Sequence, residues 1–254
     1  SLKSCFIKNT PQGLQLDRQP DIYIDVRIPN EFQTIGKVNI GFTAGVETSA
    51  VSAAWLQGCN KMDLVITVSE HSKQGFLGAK YDKMQQTPDG KQQKIGELKL
   101  EKPIEVLFEG LDVKEFYPMK SSDLKTPIAK TLDEIKENFC YLMVGQWCQG
   151  NFGEDRKDIP RAIKTFYETF ANRSSAPALV IKTSGATFSV LDKENCLTKL
   201  KQIKNAFPKD IKLPNVYFIH GSLTKEEMNE LYNHHKIKAF YLTTHGEGFG
   251  RPLL

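Results

Sequence analysis

The residues best suited to chemistry in this chain lie in one stretch, His245-Gly246-Glu247-Gly248-Phe249-Gly250-Arg251-Pro252-Leu253-Leu254. Three glycines at alternate positions let a ligand approach the backbone closely, and successive N–H groups free of side chains can point at an anion. Glu247 adds an acceptor for hydroxyl groups. A phosphate joined to a sugar is the ligand such a loop suits. The same glycines would also serve a plain turn closing a β-α connection, and the glycines alone leave both readings open. A dinucleotide loop is a poorer match. Gly246-x-Gly248-x-Gly250 lacks the G-x-G-x-x-G spacing, and the acidic ribose partner expected about 20 residues later has no sequence to occupy.

Elements must hold this loop in place, and their pattern is legible along the chain. Lys238 to Thr243 reads as the short buried strand that delivers it. Before it come strands at Phe139–Gly145, Ala178–Thr183 and Val216–Ile219, separated by helical spacing at Ile159, Ala162, Ile163, Phe166 and Phe170 and again over Lys193–Phe207. Asp158 is placed to cap the first of these helices, with Pro160 in its first turn, and Thr224-x-x-Glu227 is a capping box for a third. The order β-α-β-α-β-α-β predicts a doubly wound parallel sheet with the loop at its carboxyl edge.

The first half repeats the scheme less completely. Strands are expected at Asp21–Pro29, Val38–Phe42, Leu64–Val68 and Ile104–Phe108, with a helix over Ser52–Asn60 and another opened by Ser69. Residues 80 to 102 are polar around Pro88-Asp89-Gly90 and read as a hairpin excursion. His71 at a helix start is a candidate for catalysis or for a solvated, capping role. The expected division is 1–125 and 126–254, with Leu132–Glu137 as a helical linker. No early glycine-rich turn precedes the first strand, so the chain is expected to begin inside a domain.

Composition sets the class. A chain of 254 residues, 40% hydrophobic and 25% charged, is long enough for two modest cores. The formal charge of +4 is spread rather than gathered, which does not call for nucleic acid but leaves room for anionic substrates or peripheral contact with a membrane surface. Cys5, Cys59, Cys140, Cys148 and Cys196 form no Cys-x-x-Cys pair, and their odd number reads as reduced thiols of a cytoplasmic protein. No apolar run reaches the roughly 18 residues of a membrane span. No Asp-x-Asp and no metal-spaced His/Cys/Asp set is present, and His234-His235 reads as a solvated pair at a polar helix end.

Glu-Gly-Phe-Gly-x-Pro-Leu-Leu resembles the start of the Glu, seven residues, Glu signature of retaining GT-B glycosyltransferases, specifically the large family 4-like group. The second Glu of that signature would fall one residue beyond Leu254, so an incomplete chain is expected. Further landmarks stand in the family's order: Asn39 to Thr48, Asn60-Lys61-Met62-Asp63, Val68 to Lys73, Glu109-Gly110-Leu111-Asp112, Gly145 with Arg156-Lys157, and Ile219-His220-Gly221-Ser222-Leu223. The resemblance implies an α/β fold of GT-B architecture, two partial Rossmann-like domains whose parallel sheets face a cleft, acceptor side first and donor side second.

It also implies roles residue by residue. Lys157 matches the basic residue that neutralises the donor diphosphate, and Arg156 would substitute for a family cation where this chain has Gln146 after Gly145. Glu247 matches the first motif Glu near the donor sugar's hydroxyls, with Gly248, Phe249 and Gly250 offering backbone donors. Gly221 and Ser222 fall where the family holds the nucleobase, equally the place of a strand-to-helix turn, and Lys182 is a further donor-side candidate. Thr43 and Glu47 fall on the acceptor side; Glu47 would position or deprotonate the acceptor, or only cap the next helix. The implied activity is metal-independent, cofactor-free transfer of a sugar from a nucleotide diphosphate to a carbohydrate or lipid-linked acceptor, with retention. Two alternatives stand beside it: a non-catalytic nucleotide-sugar-binding fragment, and a dinucleotide-dependent Rossmann enzyme. The sugar, the base and the acceptor are not encoded in the pattern.

Overall fold

A computed structural model describes residues 7–10, 13–45, 48–88, 90–148, 153–247 and 250–253. The chain divides into two compact units, Ser1–Gly110 and Leu111–Leu254.

In the first unit β1 (Ile7–Thr10) and β2 (Gly13–Leu16) form an antiparallel pair. β3 (Ile22–Val26), β4 (Val38–Thr43), α1 (Ala53–Cys59), β5 (Leu64–Thr67) and α2 (Glu70–Gly78) follow. The polar excursion is the antiparallel hairpin β6 (Tyr81–Gln86) and β7 (Gln92–Leu98), and β8 (Ile104–Val106) rejoins the sheet. β3, β4, β5 and β8 pair in parallel in that order. Ser69 caps α2, its hydroxyl accepting the Ser72 N–H, as its position before the helix predicts. Leu56, Cys59, Met62, Val65 and Phe76 make a core on one face of the sheet. The other face is open: Ile22, Ile24, Val26 and Val38 are exposed, and Ile40, Phe42, Leu64 and Ile66, which continue the same rows, are only half buried.

The second unit comprises α3 (Pro127–Asp133), β9 (Cys140–Val144), α4 (Ile159–Phe170), β10 (Ala178–Lys182), α5 (Val190–Asn205), β11 (Val216–Ile219), α6 (Lys225–Asn233) and β12 (Ile237–Phe240). Its four strands are all parallel in the order β11-β10-β9-β12, the doubly wound arrangement expected from the alternation of elements. β10 is buried along its whole length, as a strand covered on both faces must be. Ile159, Ala162, Ile163 and Phe166 pack on one face of the sheet, and Ile128, Leu132 and Leu231 on the other.

The differences from the expected elements have local causes. The segment 111–125 belongs with the second unit rather than the first, because side chains of α6 hold its backbone. Tyr117 N donates to Asn229 Oδ1, Met119 N to Asn233 Oδ1, and Lys125 N to Glu230 Oε1. The helix before β9 is α3, starting at Pro127 rather than Leu132, since Pro127 suits a first helical position. α5 begins at Val190 because the Ser189 hydroxyl accepts the Asp192 N–H three residues before the expected start. β12 ends at Phe240 instead of Thr243: the hydroxyls of Thr243 and Thr244 turn to the backbone carbonyls of Asp158 and Arg156.

Candidate functional site

Because the second sheet is parallel, β9, β10, β11 and β12 all end on one edge, and the chain leaving each end supplies the candidate residues. Gly145 follows β9, Lys182 ends β10, Gly221 and Ser222 follow β11, and the segment 241–247 follows β12. That last segment is laced to the turn before α4. His245 N donates to the Arg156 carbonyl at 2.9 Å, and Arg156 Nη1 donates to the Gly246 carbonyl at 3.0 Å.

At the centre of this lacing the Lys157 ammonium donates to the Glu247 carboxylate. Lys157 is only 7% exposed, so it is not a solvated helix-start residue. Its stem lies against Gly145, 3.6 Å from where a Cβ would be, so an alanine there would touch it without displacing it. Arg156 is exposed, and its guanidinium serves to hold the loop at Gly246. Gly248 and Phe249 lie outside the described residues; Gly250 is buried with φ +76°.

Asp158 departs from its expected role. It sits at the N-cap position of α4, but in the left-handed region, at φ 48° and ψ 39°, and its side chain makes no cap bond. Its carboxylate instead meets Arg161 at 2.6 Å and His245 at 3.5 Å. One of its oxygens, Oδ1, is buried without a hydrogen-bond partner. Left-handed backbone turns the side chain away from the N–H groups that a capping residue in extended conformation would face.

Lys182 is 9% exposed, and among the described residues no carboxylate pairs with it; its ammonium lies 5.3 Å from the centre of the Phe188 ring. Burial holds it below the usual lysine range. With Val144, Gly145, Gln146, Gly185, Ala186 and Phe188 it lines a cavity of about 310 Å³. An ammonium buried without a counter-charge favours a ligand that brings one.

Beside this cavity is a pair missing from the expected set. His220 Nε2 donates to Asp192 Oδ2 at 2.9 Å, and Asp192 also accepts the N–H groups of Gly185 and Ala186, each at 3.0 Å. The His220 bond, followed by those backbone bonds, holds the Asp192 carboxyl down at about 2. The one signal available beforehand was the position of Asp192 three residues after Ser189, which marks a helix start and not a histidine partner. Gly221 adopts φ +109° with open space around its α-carbon, and Ser222 is exposed. They form the turn between β11 and α6, whose capping box is complete: Thr224 N donates to Glu227 Oε2 and Glu227 N to Thr224 Oγ1.

The first-unit candidates belong to the end of β4. Thr43 is buried, and its hydroxyl accepts the Gly45 N–H at 3.4 Å. Gly45 has φ +80°, and a Cβ there would stand 2.2 Å from Ser72 Oγ, so the loop passes directly over the start of α2. His71 is exposed and donates through Nε2 to the Thr48 carbonyl, a positioning contact at a helix start. Glu47 lies outside the described residues.

Of the His234-His235 pair only His235 is exposed as expected: His234 is 2% exposed, and the fold brings Asp133 of α3 to its Nε2 at 3.2 Å. No sequence spacing could announce a partner 101 residues away. Among the described residues no helix is long and apolar enough to cross a membrane.

No protein-family model matches this chain, and no curated protein matches it. Solved structures do. An E. coli structure described as trehalose-6-phosphate bound with UDP-2-fluoro glucose matches 91% of this chain and 54% of its own, at 13% identity and a TM-score of 0.53. A trehalose-6-phosphate synthase matches with 13% identity and a TM-score of 0.49, over 81% of this chain and 46% of its own. A UDP-forming trehalose-phosphate synthase from Burkholderia xenovorans, in complex with glucose-6-phosphate, has 11% identity and a TM-score of 0.45, over 83% and 48%. This chain therefore spans about half the length of the structures it matches. At these identities the likeness is one of fold, and the fold is the α/β, GT-B type of the E. coli structure.

Proposed function

We propose that this chain belongs to a glycosyltransferase that moves a sugar from a nucleotide diphosphate to an acceptor hydroxyl with retention, and that the second unit binds the donor. The observation that carries this reading is the pair of buried Lys157 with half-buried Glu247 beside Gly145 at the carboxyl edge of a parallel sheet. The pair joins a cation able to meet a diphosphate to a carboxylate able to accept from sugar hydroxyls. The GT-B type of fold supports the same reading.

In the reaction we infer, the diphosphate takes the Lys157 ammonium and frees Glu247 for the sugar hydroxyls. As the anomeric C–O bond breaks, its electron pair goes to the leaving phosphate oxygen. Lys157 and Lys182 are fixed cations on the side where that charge grows, which lowers the barrier. The acceptor oxygen approaches the face that the diphosphate leaves, and the departing phosphate oxygen takes the acceptor's proton. We assign the diphosphate charge to these cations and to backbone N–H groups, and assign no cofactor. The acceptor is a carbohydrate or lipid-linked hydroxyl compound, and we place the reaction in the cytoplasm.

Calorimetric titration with UDP, GDP, ADP and NAD tests the reading. UDP is the first choice because the E. coli structure holds a UDP-sugar. One nucleoside diphosphate should bind, and Lys157→Ala should weaken it about 10- to 100-fold, the worth of a charge-assisted hydrogen bond. Tight NAD binding with no response to any nucleoside diphosphate would overturn the proposal, as would an unchanged Kd in the variant. Glu247→Gln removes the carboxylate that competes for Lys157, so it should keep nucleoside diphosphate binding while losing sugar transfer. Nucleotide-sugar binding with no transfer or donor hydrolysis would instead identify a non-catalytic sugar-nucleotide-binding chain.

A further inference from the structure

Away from the donor edge, the ends of α3 and α6 bring together Asp133, the last residue of α3, and His234 and His235, which follow α6. One ligand atom from each of the three lies within 4.8 Å of the others. Asp133 Oδ1 is 3.2 Å from His234 Nε2 and 4.0 Å from His235 Nε2. Two ligands bound at about 2.0–2.2 Å to one tetrahedral ion stand about 3.3–3.6 Å apart. The Asp133–His234 separation is just under that range, and His235, half exposed, has freedom to close the remainder.

We propose that Asp133, His234 and His235 form a site for a borderline divalent transition-metal ion of the zinc class. Two imidazoles with one carboxylate select such an ion over Mg²⁺ or Ca²⁺, which take oxygen ligands. The helix ends at this place add partial negative charge, part of which the Lys236 ammonium already offsets. The carbonyl ends of two helices converge there, and a helix C-terminus carries partial negative charge.

One fixed charge, the Lys236 ammonium, works against a further cation, but it leaves the Asp133 carboxylate available. The Lys236 ammonium, buried nearby, is taken up by the carbonyl oxygens of Asp133 and Ile135 rather than by the Asp133 carboxylate. Glu230, on α6, is committed to Lys125 and Thr126. Burial, then the neighbouring His235, holds the His234 imidazole below the usual histidine range. Without metal, His234 Nδ1 accepts the Lys236 N–H at 3.3 Å, which places the ring proton on Nε2. Ligation through Nε2 moves that proton to Nδ1, and this long contact is the one that gives way. The ion ties α3 to α6 and leaves a coordination position open to solvent beside the exposed His235 and Asp133.

The test is thermal denaturation and calorimetry of the whole chain with ZnCl2, with MgCl2 as the control ion. Saturable Zn²⁺ binding with a rise in Tm that EDTA reverses is expected, and no effect of Mg²⁺. His235→Ala touches a half-exposed ring and should leave the metal-free Tm unchanged. It should weaken Zn²⁺ binding by more than about tenfold, the scale of losing even a supporting contact of a metal site. Asp133→Asn should do the same. In NMR, two of the five histidine ring signals should move on Zn²⁺ addition. Absence of saturable binding, equal response to Mg²⁺, or binding that survives His235→Ala overturns the site. That last result would place the ion on another ligand set, such as the Cys148 thiol. None of these outcomes depends on nucleotide binding, which is read separately with UDP.

Discussion

Asp192 shows how one carboxylate can organise a site edge. It fastens the 185–186 turn and holds His220, and its depressed pKa ties stability to acid pH. A group whose folded pKa is lowered contributes stability that is complete above its unfolded value, near about 4, and is lost as pH falls through the folded value. The second unit should therefore lose Tm between about pH 4 and pH 2. Asp192→Asn should have a lower Tm at neutral pH and a flatter profile across that window, measured by thermal melts over a pH series. This pair was not legible in the sequence, because Asp192 and His220 are 28 residues apart and each has an ordinary local reading. Glu247 was legible from the chemistry of its loop, and Lys157 only through resemblance. Asp158 was misread because capping statistics assume extended backbone, and this residue is left-handed.

Among the elements, α6 does most to join parts of the chain. Asn229, Glu230 and Asn233 receive the backbone of the preceding segment, so residues 111–126 are held as part of the second unit. Burial alone would push the Glu230 carboxyl up. The Thr126 hydroxyl and the N–H groups of Lys125 and Thr126 outweigh it, and the net direction is down. Glu230→Ala leaves those donors without their acceptor and should destabilise the second unit by roughly 3 kcal/mol, read by urea denaturation. In the first unit, Gly45→Ala puts a side chain into positive φ and against Ser72, and should cost about 1–3 kcal/mol. Element types were mostly readable from period and caps: the Thr224 capping box, the Ser69 cap and the 80–102 hairpin all stand where the residues indicate. Boundaries were less so, since the end of β12 depends on threonine hydroxyls bonding to a turn that lies about 85 residues earlier.

At the scale of the molecule, the two units differ in how completely their sheets are covered. The sequence pattern distinguishes them only in part: alternation of strands and helices announced both parallel sheets, but not that α1 and α2 share one face. A parallel sheet is ordinarily buried on both faces. The open rows of Ile22, Ile24, Val26 and Val38 should bind a hydrophobic dye such as ANS under native conditions, and Ile24→Lys should reduce that fluorescence without lowering Tm. Unchanged fluorescence would place the dye elsewhere. The pairing of β12 with β9 governs a different matter, the order of events on a ribosome. β9 lies inside the sheet, yet its partner Ile237 follows Cys140 by almost a hundred residues. At about 5–20 residues per second, one flank of β9 waits on the order of 5–20 s for its neighbour during synthesis. Throughout that interval the bare flank is a template for a strand of another nascent chain. The arrival of β12 ends this exposure and lets Glu247 reach Lys157, so that ion pair forms only once the sheet closes.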